Sequence, residues 1–300
     1  METVMENVAV GISGFEWVVG VLNNCFIVVI NVHDWKNGTR SSPCDKILIL
    51  IAFNNLFLQC HFNISAVLFT DFTEIIFLQN VFATLLFFLV FQLFLSFWLT
   101  AWLCVYYCLR IVSFKTYIFI YLKLIIPTLI IKLILMSAVG CFILALFGIW
   151  NIHLEPFIQT ENFTNGTTPK LYVAFSSYFR LLAILLGSCL PLLVAVCSIV
   201  LTLTSILRHV HHMKQKGSSF SDTQRDAHIK AARIMSLLTI AFIVFHSAEI
   251  FILSSKRNIR DFWNTFSVFI ILIYPTAQST ILILGNPALR TTYLRILRCS

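Results

Sequence analysis

Charge is what this 300-residue sequence has least of: Asp, Glu, Lys and Arg make up 11%, against about 25% in ordinary globular chains. So little charge does not clothe a water-facing surface. With 59% apolar residues, 29 of the chain being phenylalanine, the solvent is read as lipid. Acid is scarcer than base, 13 residues against 21, for a formal net charge of +8. The basic residues stand in small groups between apolar runs, which fits membrane topology and speaks against a nucleic-acid groove. Catalytic signatures are missing too. There is no glycine-rich phosphate loop, no His-Glu-x-x-His, no Cys-x-x-Cys and no nucleophile–base pair at suitable spacing, so neither an enzyme nor a cofactor is expected. No internal repeat or low-complexity tract interrupts the chain. Glu2 and Glu6 precede the first apolar run and no basic stretch does, so that run is expected to stay as a helix rather than be cleaved as a leader. None of the nine cysteines falls in a connection expected outside the cell, so no structural disulfide is expected.

Apolar runs are what the chain does have. A helix needs about 20 residues to cross the hydrocarbon core, and seven runs qualify, roughly 9–32, 46–70, 80–110, 123–150, 179–207, 230–253 and 263–285, followed by a short tail at 286–300. The third is long enough to cross with considerable tilt. Counting Lys and Arg in alternate connections orients them. The first, third and fifth connections and the tail hold fifteen, among them Arg110, Arg208, Lys230 and Arg290; the other side holds Lys170, Lys256, Arg257 and Arg260. The expectation is an all-α, single-domain, seven-helix bundle in the plasma membrane with its N-terminus outside and its C-terminus cytoplasmic. Two sequons, at Asn162 and Asn165, fall in the second outer connection, where a glycan can be added. Those at Asn37 and Asn63 fall on an inner connection and inside a run, and are expected to be inert.

Polar groups within apolar helices are costly unless they face other helices or water, so their spacing reports the buried face. In the third run Leu89, Gln92, Leu93, Ser96 and Thr100 share one face that continues through Leu103 and Tyr107 to Arg110. The sixth carries Ser236, Thr239, Phe242, His246 and Glu249, and the seventh Asn264, Ser267, Tyr274 and Gln278. Three such stripes describe a bundle with a partly wet centre. The simpler reading is interhelical glue, each bond contributing about 0.6 kcal/mol. It suits Asn24 and Asn31, two turns apart, with Asn54 and Asn55 expected to bond across to them. Glu249 and His246, one turn apart near the outer end, fit either a functional site or a carboxyl group reaching for the outer interface. Glu16 and Lys132, each near a helix end, are expected to reach outward in the same way. His209, His211, His212 and Met213 at the inner end of the fifth run suit a basic surface beside anionic lipid or an acidic partner better than a metal site. Lysine is absent from the seventh run, which excludes a retinal Schiff base there.

Seven helices with an outer N-terminus favour a G-protein-coupled receptor, yet rhodopsin-like signatures fail: the third run ends Tyr106-Tyr107-Cys108-Leu109-Arg110 and the seventh lacks Asn-Pro-x-x-Tyr. The stretch "WLTAWLCVYYCLRIVSF" instead resembles the third helix of the type 2 (bitter) taste receptors in Trp98-Leu99, Tyr106-Tyr107, Leu109-Arg110-Ile111 and Phe114. Asn24-Cys-Phe26-Ile27 with Asn31-Val-His-Asp34-Trp35, Pro191 through "SILRHVHHMKQ", "AHIKAARIMSLL" from Ala227, and "YPTAQSTILILGNPALR" ending at Arg290 are similar to further segments of that family, in order, over nearly the whole chain. The chain also departs from it. Ile51-Ala52-Phe53-Asn54-Asn55 lacks the family's second-helix arginine, Gln278 stands for a histidine and Ala288 for a lysine; Leu89, Leu93 and Val268 stand where many relatives carry polar or aromatic residues.

The resemblance implies a receptor for small, mostly lipophilic bitter agonists, coupled to a heterotrimeric G protein of the gustducin-like Gi/o class. Agonist is then expected in an outer-half cavity, anchored by Gln92, Ser96, His246, Glu249, Asn264 and Ser267 and walled by Leu89, Leu93 and Val268. Transducer coupling and activation are assigned to Tyr106, Tyr107, Arg110, His209, Lys230, Tyr274 and Gln278. Pro191 and Pro275 read as hinges or as static kinks, and Cys299 as a candidate palmitoylation site. The competing classes are another chemosensory receptor and a secondary transporter, although the paired halves and matching broken helices of a transporter are not visible.

Overall fold

A computed structural model describes residues 2–38, 42–72, 78–112, 117–157, 170–216, 222–254 and 262–299. Among these, seven stretches are long and apolar enough to cross a membrane: Gly14–Lys36, Pro43–Leu68, Asn80–Ile111, Thr128–Trp150, Ser177–Arg208, Ala232–Ile252 and Phe266–Gly285. They lie in helices α1 (Glu2–Lys36), α2 (Pro43–Asp71), α3 (Gln79–Ile111) and α4 (Tyr117–Trp150), then α5 (Ser177–Leu182) with α6 (Leu190–Lys216), and finally α7 (Asp222–Ser254) and α8 (Phe262–Gly285). A further helix, α9 (Pro287–Cys299), follows α8 directly. The second polar connection departs from the all-helical expectation. Ile152–Phe157 (β1) pairs antiparallel with Lys170–Phe175 (β2), Ile152 opposite Phe175 and Phe157 opposite Lys170. Pairing within a hairpin satisfies backbone groups that a bare loop leaves to water. The sequons Asn162 and Asn165 lie outside the described residues. One end of the bundle therefore carries this hairpin and the other carries α9.

Local chemistry places the helix boundaries. Ser42 opens α2 with a reciprocal cap: its hydroxyl accepts from Asp45 N (3.2 Å), its own N–H donates to Asp45 Oδ2 (2.9 Å), and Pro43 takes a position that needs no donor. At the hairpin's exit Ser176 N donates to Asn151 O (3.0 Å) and its hydroxyl caps Phe179 N (3.2 Å). Asn286 Oδ1 accepts from Ala288 N (3.0 Å), turning α8 into α9. Between α5 and α6, residues Ala183–Cys189 form a π-helical turn in which Leu190 N–H reaches back to Leu185 O. Pro191 supplies the reason. It has no N–H for Gly187 O, and its ring would press on that carbonyl in a regular helix, so the backbone widens just ahead of it.

α3 is the central rod, touching α2, α4, the fifth span and α7. Buried apolar residues form three clusters, all of which draw on it. One lies towards α9 around Ile27, Ile47, Leu103, Ile234 and Leu282. One lies towards the hairpin around Leu58, Phe97, Phe179, Phe242 and Phe245. The third joins Cys104, Cys108, Ala195, Ile199 and Met235. Leu124, Leu135, Met136, Val139 and Leu207 point outward, as lipid-facing residues do. All eight cysteines whose side chains are described are free thiols, so noncovalent packing alone holds the described spans together.

Polar contacts fasten α1 against α2 and α8. Thr276 donates its hydroxyl to the Glu16 carboxyl group and accepts from Gln59 Nε2 (2.9 Å). Glu16 therefore faces a neighbouring helix, where Thr276 offers it a donor, instead of reaching outward as expected. Lys132 is exposed. Gly20 lets the three helices close: a Cβ there would collide with Gln59 Nε2 and Thr276 Oγ1, whereas one at Gly14 would meet nothing within 4 Å. Gln59 can swing away only by breaking its bond, and Thr276 is stiff at χ1. Gly20→Ala is expected to cost about 1–3 kcal/mol and to lower the melting temperature of the detergent-solubilised protein. Gly14→Ala should leave that temperature unchanged or slightly higher; equal behaviour of the two variants would contradict the close approach.

Candidate functional site

Two polar groups occupy the interior, separated by a layer of rings. The first sits at the π-helical turn. Ser188 Oγ donates to Glu249 Oε2 (2.8 Å), and His246 Nδ1 lies 3.2 Å from the same oxygen. Cys189 Sγ lies 3.7 Å from His246 Nε2. Ser188, His246 and Glu249 are all buried, at 0%, 5% and 6% exposure. Glu249 thus faces the fifth span rather than the outer interface. Among the described residues both of its hydrogen bonds fall on Oε2. The wide turn brings Ser188 into reach, and Gly187 beside it makes room for α3: a Cβ at Gly187 would sit 2.5 Å from Phe94 Cε1. π-helical turns occur often at functional sites.

The second group is a junction of four spans. Asn55 Nδ2 donates to Gln278 Oε1 (2.9 Å) and Asn24 Oδ1 (3.2 Å), and Gln278 Nε2 donates to Thr100 Oγ1 (2.7 Å). Tyr274 OH lies 3.3 Å from Thr100 Oγ1. Asn54 turns instead across to Gln92 O of α3 (3.1 Å), and Asn31 to Ile27 O (2.7 Å) within its own helix, so of the four asparagines only Asn24 and Asn55 bond to each other between α1 and α2. Asn55, which stands where the resemblance implies an arginine, joins helices as a neutral donor and needs no buried counter-charge.

Between the two groups, Phe97 stacks on Phe242 at 4.6 Å between ring centroids and meets Phe245 edge-on at 5.3 Å, while Phe245 lies 4.3 Å from Tyr274. Phe97 also presents its ring to His246 (6.3 Å) and Tyr274 (6.4 Å), so it touches a member of each polar group.

The residues expected to line an agonist cavity divide accordingly. Leu93 is in the hairpin-side cluster with Leu89 packed on it, and Ser96, His246, Glu249 and Ser267 are buried. Among the described residues Gln92 Oε1 and Ser96 Oγ are buried without a hydrogen-bond partner. Val268 is 43% exposed and belongs to none of the three clusters. Of the residues assigned to transducer coupling, Tyr106, Tyr107 and Arg110 meet at the α9 end. Cys44 Sγ donates to Tyr107 OH (3.6 Å), the two tyrosine rings lie 6.3 Å apart, and Arg110 is exposed with no ion pair among the described residues. Tyr274 and Gln278 are not at that end but in the junction with Thr100, about 15 Å along α3 from Arg110. The side chains of Asn264, His209, Lys230 and Cys299 lie outside the described residues. Among the described residues no three His, Cys, Asp or Glu side chains converge as metal ligands would. Sequence reasoning missed Ser188 and Cys189; Pro191, shortly after them in an apolar run, was the available signal. It also missed the partners of Glu16, for which the sequence carries no signal.

The family model for taste receptor protein (TAS2R) matches residues 1–300. Taste receptor type 2 member 13 of Pongo pygmaeus is 27% identical, the match covering 99% of this chain and 97% of that protein. Member 9 of Papio hamadryas is 26% identical over 99% and 96%, and member 129 of Mus musculus 25% over 99% and 93%. Among solved structures, squid rhodopsin superposes with a TM-score of 0.66 at 13% identity over 96% of this chain and 85% of its own, which establishes the seven-helix receptor fold.

Removing Gln278 strips Asn55 of its shortest acceptor and Thr100 of a donor. Gln278→Leu is expected to lower stability by about 1–2 kcal/mol, with Ser247→Ala, an exposed residue bonded only to Ile243 O, as the neutral control. In unfolding measurements Asn55→Leu and Gln278→Leu together should cost less than the sum of the singles; strict additivity would dissolve the junction as a unit.

Proposed function

This chain belongs to the taste receptor protein (TAS2R) family, and from that premise we propose that it is a bitter receptor whose agonists bind beside the Glu249 group. The protein is a multi-pass plasma membrane protein with the G-protein-coupled receptor fold, and it is not an enzyme. Its family implies small-molecule ligands and coupling to a G protein. The finer reading is a small, mostly lipophilic compound held by Glu249, His246, Gln92, Ser96, Asn264 and Ser267 against walls of Leu89, Leu93 and Val268. The buried carboxyl group of Glu249 carries it, since its described hydrogen bonds both fall on Oε2 and a carboxyl group at such depth is a strong acceptor for a ligand's donor. Agonists bearing a basic or hydroxyl group fit that acceptor, and the surrounding rings fit an apolar body.

Agonist shifts the receptor only by binding one arrangement more tightly than another. The first element it meets is the ring layer, and Tyr274 and Gln278 lie on the far side of that layer. At the α9 end Arg110, with Tyr106 and Tyr107 beside it, offers a basic surface to the C-terminal segment of a gustducin-like Gi/o α-subunit, and on sequence alone His209 and Lys230 are assigned the same role. The reading carries with it an N-terminus outside the cell, a C-terminus in the cytoplasm and glycans at Asn162 and Asn165.

Calcium responses to bitter compounds in cells co-expressing a taste-type Gα test the reading; compound uptake that proceeds without any Gα would refute it in favour of a transporter. In that assay Glu249→Gln keeps a group able to accept from Ser188 but removes the carboxyl group. Basic agonists should lose about tenfold in potency, the difference between a charge-assisted and a neutral hydrogen bond, while neutral agonists change little. A uniform shift across both classes would remove Glu249 from the agonist site. Antibody access to epitope tags on intact cells should find the N-terminal tag only, and access to both tags or neither would overturn the topology.

A further inference from the structure

At the α9 end a cavity of about 580 Å³ opens between α7, α8 and α9, within the range of about 300–1,000 Å³ typical of small-ligand sites. Its walls are aliphatic: Leu237, Leu284 and Leu294, with Ile234 and Ile281 behind them. Its polar rim is cationic. Arg233 enters from α7 and Arg290 from α9; both are exposed, and neither takes part in an ion pair among the described residues. Among the described residues no acidic side chain lines the cavity. Guanidinium groups only donate hydrogen bonds, so the two together call for an anion with several acceptor oxygens.

The depth of the cavity narrows the choice. Gly285 ends both its helix and the apolar span Phe266–Gly285, and Ile234, next to Arg233, packs against it, so the cavity lies where that apolar span gives way to polar chain. α9 is tied down on its other side: Tyr293 OH donates to Asn23 Oδ1 (3.5 Å), its ring meets Phe26 edge-on at 5.3 Å, and Leu289 is buried. The wedge therefore has fixed walls, with both cations at its rim and leucines below them. We infer that this wedge binds an anionic phospholipid of the adjoining leaflet, its phosphate between Arg233 and Arg290 and an acyl chain along Leu237, Leu284 and Leu294. A free phosphate would leave the aliphatic walls unused, and a zwitterionic headgroup carries a cation of its own towards the arginines. The site is separate from the agonist reading and stands or falls without it.

The test uses the full-length chain in phosphatidylcholine nanodiscs, doped with a photoreactive phosphatidic acid or with a photoreactive phosphatidylcholine of the same chains, followed by peptide mapping. The phosphatidic acid probe should label the segments around 233–237 and 284–294 well above the phosphatidylcholine probe. Arg233→Gln and Arg290→Gln should each lower that labelling about fivefold, the share of one basic residue at an anionic surface. Leu284→Trp, which fills the cavity and leaves its charge intact, should lower labelling as well, and Lys132→Gln, an exposed cation elsewhere, should not. Equal labelling by the two probes would overturn the inference, as would indifference to both arginine substitutions. Suppression by soluble glycerol phosphate would also overturn it, by assigning the arginines to a free anion.

Discussion

Lipid offers no hydrogen bond to an unpaired polar group, and the hydrogen bond from Asn55 to Gln278 answers that constraint where the helices converge, with Asn55 Oδ1 left without a partner among the described residues. Gln278 spends its carbonyl on α2 and its amide on α3; Asn55 in turn reaches α1. Four helices therefore share two side chains, and none can rotate about its axis without leaving a buried donor or acceptor bare. The ring layer packs above this junction because the junction holds α3 and α8 in register, Tyr274 belonging to both. The Glu249 group packs above the rings.

The arrangement gives α3 two different jobs along its length. Leu93, Phe94 and Phe97 face apolar partners in the fifth span and α7, so this part is positioned by shape. Thr100 is positioned by hydrogen bonds. Phe97 touches His246 on one side and Tyr274 on the other, which makes the ring layer the physical link between the Glu249 group and the junction. Tight packing of this sort has discrete alternatives rather than a continuous range, which suits a switch.

Much of this was legible beforehand, for a simple reason. The stripes on α3, α7 and α8 repeat at helical spacing, and the bilayer makes any polar residue on them face inward; Ser96, Thr100, His246, Glu249, Ser267 and Gln278 all do. The family also left its residues in readable order, as the full-length match bears out. What periodicity does not carry is which partner a buried group chooses. Asn54 prefers a backbone carbonyl of α3 to the asparagines of α1, and Glu16 prefers Thr276 to the interface, because both choices depend on distances between helices. Ser188 escaped notice for another reason: it enters the site through a backbone irregularity, and spacing rules assume that the helix is regular.

That irregularity has a consequence for how the protein varies. A wide turn adds a residue without adding a turn, and so offsets the angular phase of Ser177–Leu182 from that of Leu190–Lys216. The two parts of the fifth span answer to different neighbours, Phe179 to Phe147 and the hairpin-side cluster, Ala195 and Ile199 to Met235. Slack at the joint lets substitutions in one part be absorbed there instead of propagating as torsion into the other. The hairpin-side half of the span can thus change its packing while the α9-side half keeps its contacts with Met235.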